Sequence, residues 1–272
     1  MRPARLVTIA VAVAGLIAAA PAGAHEFWID TGAVAADGVA DLRVGQELSG
    51  DALPYLDRTI RAMTHVTADA AHPIAARLGD LPAIAGLDLT ADGLHILTVE
   101  TEPAYIVFDT LPEFIDYLAY EGLSQIAADH LSRGLPETEI AEEYIRNARA
   151  LVQTGPVRAG DTDRPTGLPF ELVVRGTPFG GDQTGVEVLL TWNGVPAPDT
   201  QVAMFFVPEG GIAPGETRRM LLRTDDDGVA AFALAGPGRY LLNAVRMTPV
   251  EGPGSVVWQS YWASLSFDLP PR

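Results

Sequence analysis

The sequence predicts a mainly β protein made of two β-sandwich domains, the carboxyl-terminal one immunoglobulin-like, joined by a helical hairpin. Three observations lead to this fold class. Short apolar runs separated by Gly, Pro and Asp fill residues 25–109, which is the pattern of strands and turns. Helix start signals and helical spacing follow over residues 110–158. Strand-like runs resume over residues 159–272 and number about seven, as in an immunoglobulin-like sandwich.

Residues 1–24 have the layout of a cleaved secretory signal peptide. Two arginines precede an apolar run over residues 6–20, and the small residues 22–24 end it. The apolar run is shorter than the roughly 20 residues that a membrane-spanning helix needs. We therefore expect a mature chain that begins at His25, lies in the bacterial periplasm and has no membrane span.

The first β domain is predicted over residues 25–109, with runs such as HEFWID, TIRAMTHVTA and LHILTVETEPAYIVFD. Side chains alternate between the two faces of a strand, so His65 is expected to share a face with Met63. His95 lies near the start of a later strand, whereas His72 precedes a proline in a turn. A buried strand histidine with a hydrogen bond is an alternative reading of His65 and His95.

The helical hairpin is predicted over residues 110–158. Thr110 and Glu113 have the spacing of a capping box, in which the side chain of each residue accepts a hydrogen bond from the backbone N–H near the other. A helix is therefore expected to start at Thr110. A second helix is predicted by apolar residues at helical spacing. This stripe contains Ile140, Tyr144, Ala148, Leu151 and Val152. Glu142 and Arg146 are four residues apart and are expected to form an exposed ion pair on that helix.

The second sandwich is predicted over residues 159–272, after a linker rich in Pro, Gly and Asp. Strict alternation of apolar and polar residues near its end indicates a strand with one buried face. The sequence from Asp225 to Gly228 resembles a cation loop, but it lacks the alternating acids and the distant glutamate of an EF-hand. A hairpin turn is the better interpretation.

The composition excludes several classes of function. The formal net charge of −17 makes nucleic acid and anionic membranes poor partners. The sequence contains no lysine, which excludes Schiff-base chemistry and a P-loop, and no cysteine, which excludes disulfides and thiolate metal sites. No zinc-enzyme spacing, nucleophile elbow or nucleotide loop is found, so an enzyme is not expected.

His25 is the strongest metal-binding candidate, because cleavage after Ala24 would give it a free amine beside its imidazole. Nitrogen ligands of this kind suit copper and nickel. One residue is not a site, so we expect His65 or His95 to supply a further ligand. Glu26 alternates with Phe27 on the first strand, which could place a carboxylate near the terminal amine. The alternative is a terminal histidine that is only the product of cleavage.

Several segments together resemble a known family. They are the AHEFWI start, the helical segment LPEFIDYLAYEGL, the run EEYIRNARALVQTG, the passage TGLPFELV and the closing TDDDGVAAFALAGPGRYLLNA and SYWASLSFDL. They look like a family of bacterial periplasmic domains of unknown function that is grouped with soluble components of nickel and cobalt uptake systems. The segment from Asp225 to Tyr240 also looks like a carboxypeptidase-regulatory or prealbumin-like sandwich. The resemblance implies a non-catalytic protein near a membrane metal-uptake system, with His25 at its start.

Two functions from different classes remain. The first is a periplasmic accessory protein that binds nickel, cobalt or copper through His25 with His65 or His95. The second is an envelope module that binds a protein or glycan through exposed aromatic residues such as Trp258 and Trp262. These residues, with Trp192 and Tyr261, are otherwise expected to be core or rim aromatics of the second sandwich. A copper oxygenase with a terminal histidine ranks last, since nothing beyond that terminus resembles those enzymes.

Overall fold

A computed structural model of the protein describes residues 26–32, 34–180, 183–211 and 217–271. The strands in these ranges are β1 (Glu26–Asp30), β2 (Asp41–Gln46), β3 (Ser49–Leu53), β4 (Ile60–Val66), β5 (Ala71–Pro73), β6 (Gly93–Thr101), β7 (Ala104–Thr110), β8 (Thr138–Thr154), β9 (Phe170–Val174), β10 (Gly185–Trp192), β11 (Val195–Pro196), β12 (Gln201–Pro208), β13 (Arg218–Arg223), β14 (Val229–Ala233), β15 (Gly238–Pro249) and β16 (Val256–Leu269). The helices are α1 (Val34–Asp37), α2 (Leu111–Tyr120) and α3 (Ser124–Ser132). The mainly β fold class is confirmed.

The centre of the fold is a nine-stranded sheet with the order β13-β12-β15-β16-β8-β6-β4-β5, in which β7 also pairs with β8. β16 and β8 pair in parallel, with Phe267 opposite Leu151, while the other neighbours pair antiparallel. Strands from the beginning and the end of the chain therefore share one sheet. The domain boundary predicted at residue 109 falls within β7.

One face of this sheet packs on a four-stranded sheet formed by β9, β10, β11 and β14. The core between the two sheets contains fully buried apolar side chains, among them Phe170, Val188, Leu242 and Phe267. Two packed sheets thus form a β-sandwich, and the larger sheet also contains strands from the first half of the chain. Its immunoglobulin-like strand order stays a prediction.

The opposite face is covered by two separate pieces. The small sheet β1-β2-β3 packs on it through a core that includes Phe27 and Leu97. α2 and α3 pack beside that sheet, over Trp258 and Trp262. The hydroxyl of Ser264 donates to the Phe27 carbonyl at 2.6 Å, which fixes β1 along β16. The electrostatic interactions of Glu26 with Tyr120 and Glu121 show that the start of β1 lies near the end of α2.

The first helix was predicted correctly and the second was not. Thr110 caps α2 by accepting from the Glu113 amide at 3.4 Å, and the Glu113 carboxylate accepts from the Asp109 amide at 3.1 Å. Residues 138–154, predicted to be helical, form the strand β8 instead. A strand buried on both faces carries apolar residues at nearly every position, so some of them match a helical spacing as well. For the same reason Glu142 is buried and Arg146 is partly buried on the sheet, and neither is exposed on a helix.

The Asp225–Gly228 segment is a hairpin turn, as predicted. The Asp225 carboxylate accepts from the amides of Asp227 at 3.0 Å and Val229 at 2.9 Å, and Gly228 adopts a φ of 74°. The Asp225 carboxylate therefore stabilises the turn through these hydrogen bonds. No helix among the described residues is long and apolar enough to cross a membrane.

Candidate functional site

Two of the predicted site residues, His65 and His95, form a buried pair. His65 on β4 lies opposite Leu97 on β6, and His95 is two residues further along β6, so both imidazoles are on one face as diagonal neighbours. His65 Nε2 and His95 Nδ1 are 2.8 Å apart, and the rings stack with centroids 5.1 Å apart. Only 6 % of His65 and 2 % of His95 is exposed. The structure thus brings these two sequence-predicted residues together.

Hydrogen bonds on the far side of His95 determine which of its nitrogens carries the proton. His95 Nε2 is 3.0 Å from the Ala91 carbonyl and 3.0 Å from the Thr154 hydroxyl. A carbonyl oxygen can only accept, so Nε2 carries the hydrogen and Nδ1 presents a lone pair to His65. Burial lowers the pKa of His65, and the neighbouring His95 and His72 lower it further. The neutral form of the His65 imidazole is therefore favoured where it faces His95.

His72 and Asp88 lie near this pair. His72 on β5 is directly opposite His65 in the β4–β5 register, so its side chain is on the same face, and it is exposed. Hydrogen bonds from the Thr90 hydroxyl and amide lower the pKa of Asp88, and its electrostatic interactions with His65 and His95 lower it further. An anionic carboxylate and a third imidazole thus border the pair.

The remaining histidine positions differ in character. His130 is buried, accepts from the Trp258 indole at Nδ1 and donates from Nε2 to the Pro136 carbonyl, so both ring nitrogens have partners. His25, the predicted chain terminus, lies outside the described residues. Met63 does share a face with His65, but it is buried in the core beneath the small sheet. Among the described residues, no three His, Asp or Glu side chains are placed to hold a metal ion together.

A second group of buried polar side chains lies where β1 meets α2. Glu26, Glu121 and Glu142, which we call the seam acids, are each less than 5 % exposed. Burial raises the pKa of Glu142 to about 7 and that of Glu121 well above its usual range. Sequence reasoning missed Glu121 and Glu142 as candidates, because nothing distinguishes them among the 35 acidic residues of this chain.

The large aromatic residues of the last strand do not form an exposed binding surface. Trp258 and Trp262 are 0 % and 2 % exposed, and both pack under α2 and α3. Trp192 packs against Tyr261, with ring centroids 4.5 Å apart. Trp258 and Trp262 are therefore core residues, as one of the two interpretations predicted, and the alternative of an exposed surface at these two residues is wrong, because the helices cover the strand that carries them.

The fold and the sites define a mainly β protein with a buried imidazole pair and a separate buried cluster of acids. The chain belongs to the family described as Domain of unknown function (DUF4198), whose model matches residues 22–248. That description includes neither the nickel and cobalt association nor the carboxypeptidase-regulatory likeness that the sequence resemblance implied.

No curated protein matches the chain. Among solved structures it is similar to the crystal structure of dimeric latent PorU from Porphyromonas gingivalis, with 12% identity and a TM-score of 0.21. The match covers 85% of this chain and 18% of that chain. A likeness at this TM-score supports no argument about fold or function.

Proposed function

We propose that this protein is a non-catalytic accessory of the bacterial cell envelope that binds a divalent transition metal, nickel, cobalt or copper, for uptake or handling. The observation that carries the proposal is the distance of 2.8 Å between His65 Nε2 and His95 Nδ1. Two imidazole nitrogens bound at about 2.0–2.1 Å to one ion lie about 3 Å apart. The pair therefore has nearly the spacing of two adjacent ligands before any ion arrives.

The surroundings of the pair favour the neutral imidazole that a metal requires. His95 Nε2 donates to the Ala91 carbonyl, and such a hydrogen bond fixes the ring of a metal-binding histidine and leaves Nδ1 free to coordinate. His65 currently donates from Nε2, so binding requires the hydrogen of His65 to move to its other nitrogen. Because burial already keeps His65 neutral, no net proton loss is needed.

A pair of nitrogens fills only part of a coordination sphere, and the exposed side chains of His72 and Asp88 would have to turn toward the ion to add to it. His72 is exposed and directly opposite His65, so its side chain can turn toward the pair. The Asp88 carboxylate is close enough to the pair for its charge to act on His65. Imidazole-rich sets with one carboxylate suit nickel, copper and zinc. Coordination by His25 stays a prediction, as does delivery to a membrane uptake system.

Calorimetric titration of Cu(II), Ni(II) and Co(II) tests the proposal. We expect one-to-one binding by the native protein and at least a roughly tenfold loss of affinity in His65→Asn and His95→Asn. His130→Asn is the matched control, because it alters a buried histidine outside the pair, and it should bind as the native protein does. Equal affinity in all four proteins would exclude a metal site at the pair.

The same titration distinguishes the outer ligands. His72→Ala and Asp88→Asn should weaken binding less than loss of either buried imidazole, because both residues are exposed and must be ordered on binding. A variant with unchanged affinity identifies a residue that does not coordinate. If both variants bind with the native affinity, His65 and His95 alone account for the binding.

A further inference from the structure

The seam acids share one pattern: each carboxylate has one anchored oxygen and one oxygen without a hydrogen-bond partner. Glu26 Oε2 accepts from the Glu47 amide at 3.2 Å, and Glu121 Oε2 accepts from Asn243 Nδ2 at 3.4 Å. Their other oxygens, Oε1 in both residues, have no partner. A buried acceptor without a donor costs free energy, so this arrangement requires something to complete it.

Glu142 repeats the pattern on the large sheet. Its Oε1 accepts from the Tyr117 hydroxyl at 3.2 Å and from the Ser260 hydroxyl, whereas its Oε2 has no partner. Asn243, only 2 % exposed and bonded to Glu121, adds a fourth oxygen without a donor, Oδ1. Four buried acceptors at the seam thus have no donor.

The charges at the seam are also unbalanced. The two cations that act on the seam acids are Arg146 on β8 and Arg219 on β13. Arg219 already donates to the Tyr120 carbonyl at 2.8 Å and lies over the Tyr120 ring. Burial raises the pKa of Glu26 and Glu142 to about 7, and ionising all three seam acids leaves one negative charge more than the two guanidinium groups balance. The missing group therefore has one positive charge and several N–H or O–H donors.

We propose that the seam acids bind one primary ammonium group. An ammonium has a single positive charge and three donors, which fits both the charge excess and the free oxygens. The chain has no lysine, so it offers one source of this group: its own amino terminus. The predicted cleavage after Ala24 would create that amine one residue before Glu26. A small free amine is the other source of the same chemistry.

This inference is independent of the proposed metal site. Glu142 and Val152, the β8 partner of His95, are ten residues apart on one strand, which corresponds to about 33 Å. A protonated amine has no lone pair for a metal, so an amine bound by the seam acids does not chelate. Failure of metal binding at the histidine pair would leave the inference untouched.

The absence of lysine permits a direct test, because the terminal amine is the only primary amine for a reagent to label. Protein exported with its own leader, and shown by intact mass to begin at His25, is treated with an amine-selective reagent at pH 8. We expect labelling to be at least about tenfold slower in the folded protein than in urea, since a bound ammonium must first be released. Equal labelling rates in the folded protein and in urea would show that the seam acids do not bind the amine of the chain terminus.

Variants show whether the seam acids cause the protection. Glu121→Gln and Glu142→Gln should increase the labelling rate of the folded protein at least about fivefold, whereas Glu137→Gln, at an exposed position, should not. Equally slow labelling in the native protein and in all three variants would overturn the proposal, because the amine would then be protected by burial and not by the seam acids.

A second arm examines the free amine. Acetylation of the native terminus in urea, followed by refolding, removes the charge of the terminal amine and so blocks it. Methylammonium should then raise the melting temperature of the blocked protein, and tetramethylammonium, which has no N–H donor, should not. Stabilisation of the unblocked protein by methylammonium assigns the site to a free amine. Stabilisation by Mn(II) or Ca(II) alone would overturn an ammonium site.

Discussion

At the scale of single residues, the histidine pair shows what a sequence can and cannot indicate. Strand alternation predicted that His65 and Met63 share a face, and they do. The contact between His65 and His95 depends on the register of β4 against β6, which no local pattern encodes. His72 was interpreted as a turn residue for the same reason, since its partner on β4 is set by tertiary pairing.

Asp268 provides a residue-scale prediction about pH. Burial raises the pKa of Asp268 to about 6, with a further increase from Asp30 and opposing contributions from Thr31 and Arg239. The ordinary pKa of an aspartate in an unfolded chain is about 3.9, so the folded state binds more protons between pH 4 and 6. The free energy of unfolding should therefore fall as pH rises through this window and level off above it.

Urea unfolding at several values of pH between 4 and 8 measures this effect. In Asp268→Asn the free energy of unfolding should fall less steeply between pH 4 and 6 than in the native protein, because an amide does not titrate in this range. Asp69→Asn, at an exposed position, is the control and should retain the native slope. An Asp268→Asn protein with the same slope as the native protein contradicts the assignment.

At the scale of elements, local signals predicted α2 and failed for β8. The capping box of Thr110 and Glu113 acts within four residues, so its effect is visible in the sequence. The strand conformation of β8 depends on its pairing with β6, β7 and β16, and β16 is far away in the chain. The apolar residues of β8 also match a helical spacing, but this match did not indicate a helix, because both faces of the strand are covered.

The cap provides an element-scale prediction. Thr110→Ala removes the hydroxyl that accepts from the Glu113 amide and should lower the free energy of unfolding by about 1 kcal/mol. Thr138→Ala is the matched control, because Thr138 is exposed and lies opposite Thr110 in the β7–β8 pair. Urea denaturation of both variants measures the difference. A Thr138→Ala loss as large as that of Thr110→Ala would assign the effect to strand pairing instead of the cap.

At the scale of the whole molecule, the last long strand joins the first half of the chain to the second. β16 lies between β15 and β8, so neither half completes the large sheet alone. A buried ion network adds to this connection. Arg149 on β8 contacts Asp163 at 2.7 Å and Glu171 on β9 at 3.1 Å, and all three side chains are buried. Removing one member of such a network leaves a buried charge without its partner, which is strongly destabilising.

This connection predicts that the protein unfolds in one cooperative transition, although its sequence suggests two domains. Scanning calorimetry should give a single peak whose calorimetric enthalpy equals its van't Hoff enthalpy. Truncation before β16 should abolish the transition rather than leave a folded amino-terminal half, because β8 would lose its parallel partner and the cores to which β16 contributes would be exposed to water. Two resolved peaks, or a truncated chain that still unfolds cooperatively, would show that the halves are independent despite the shared sheet.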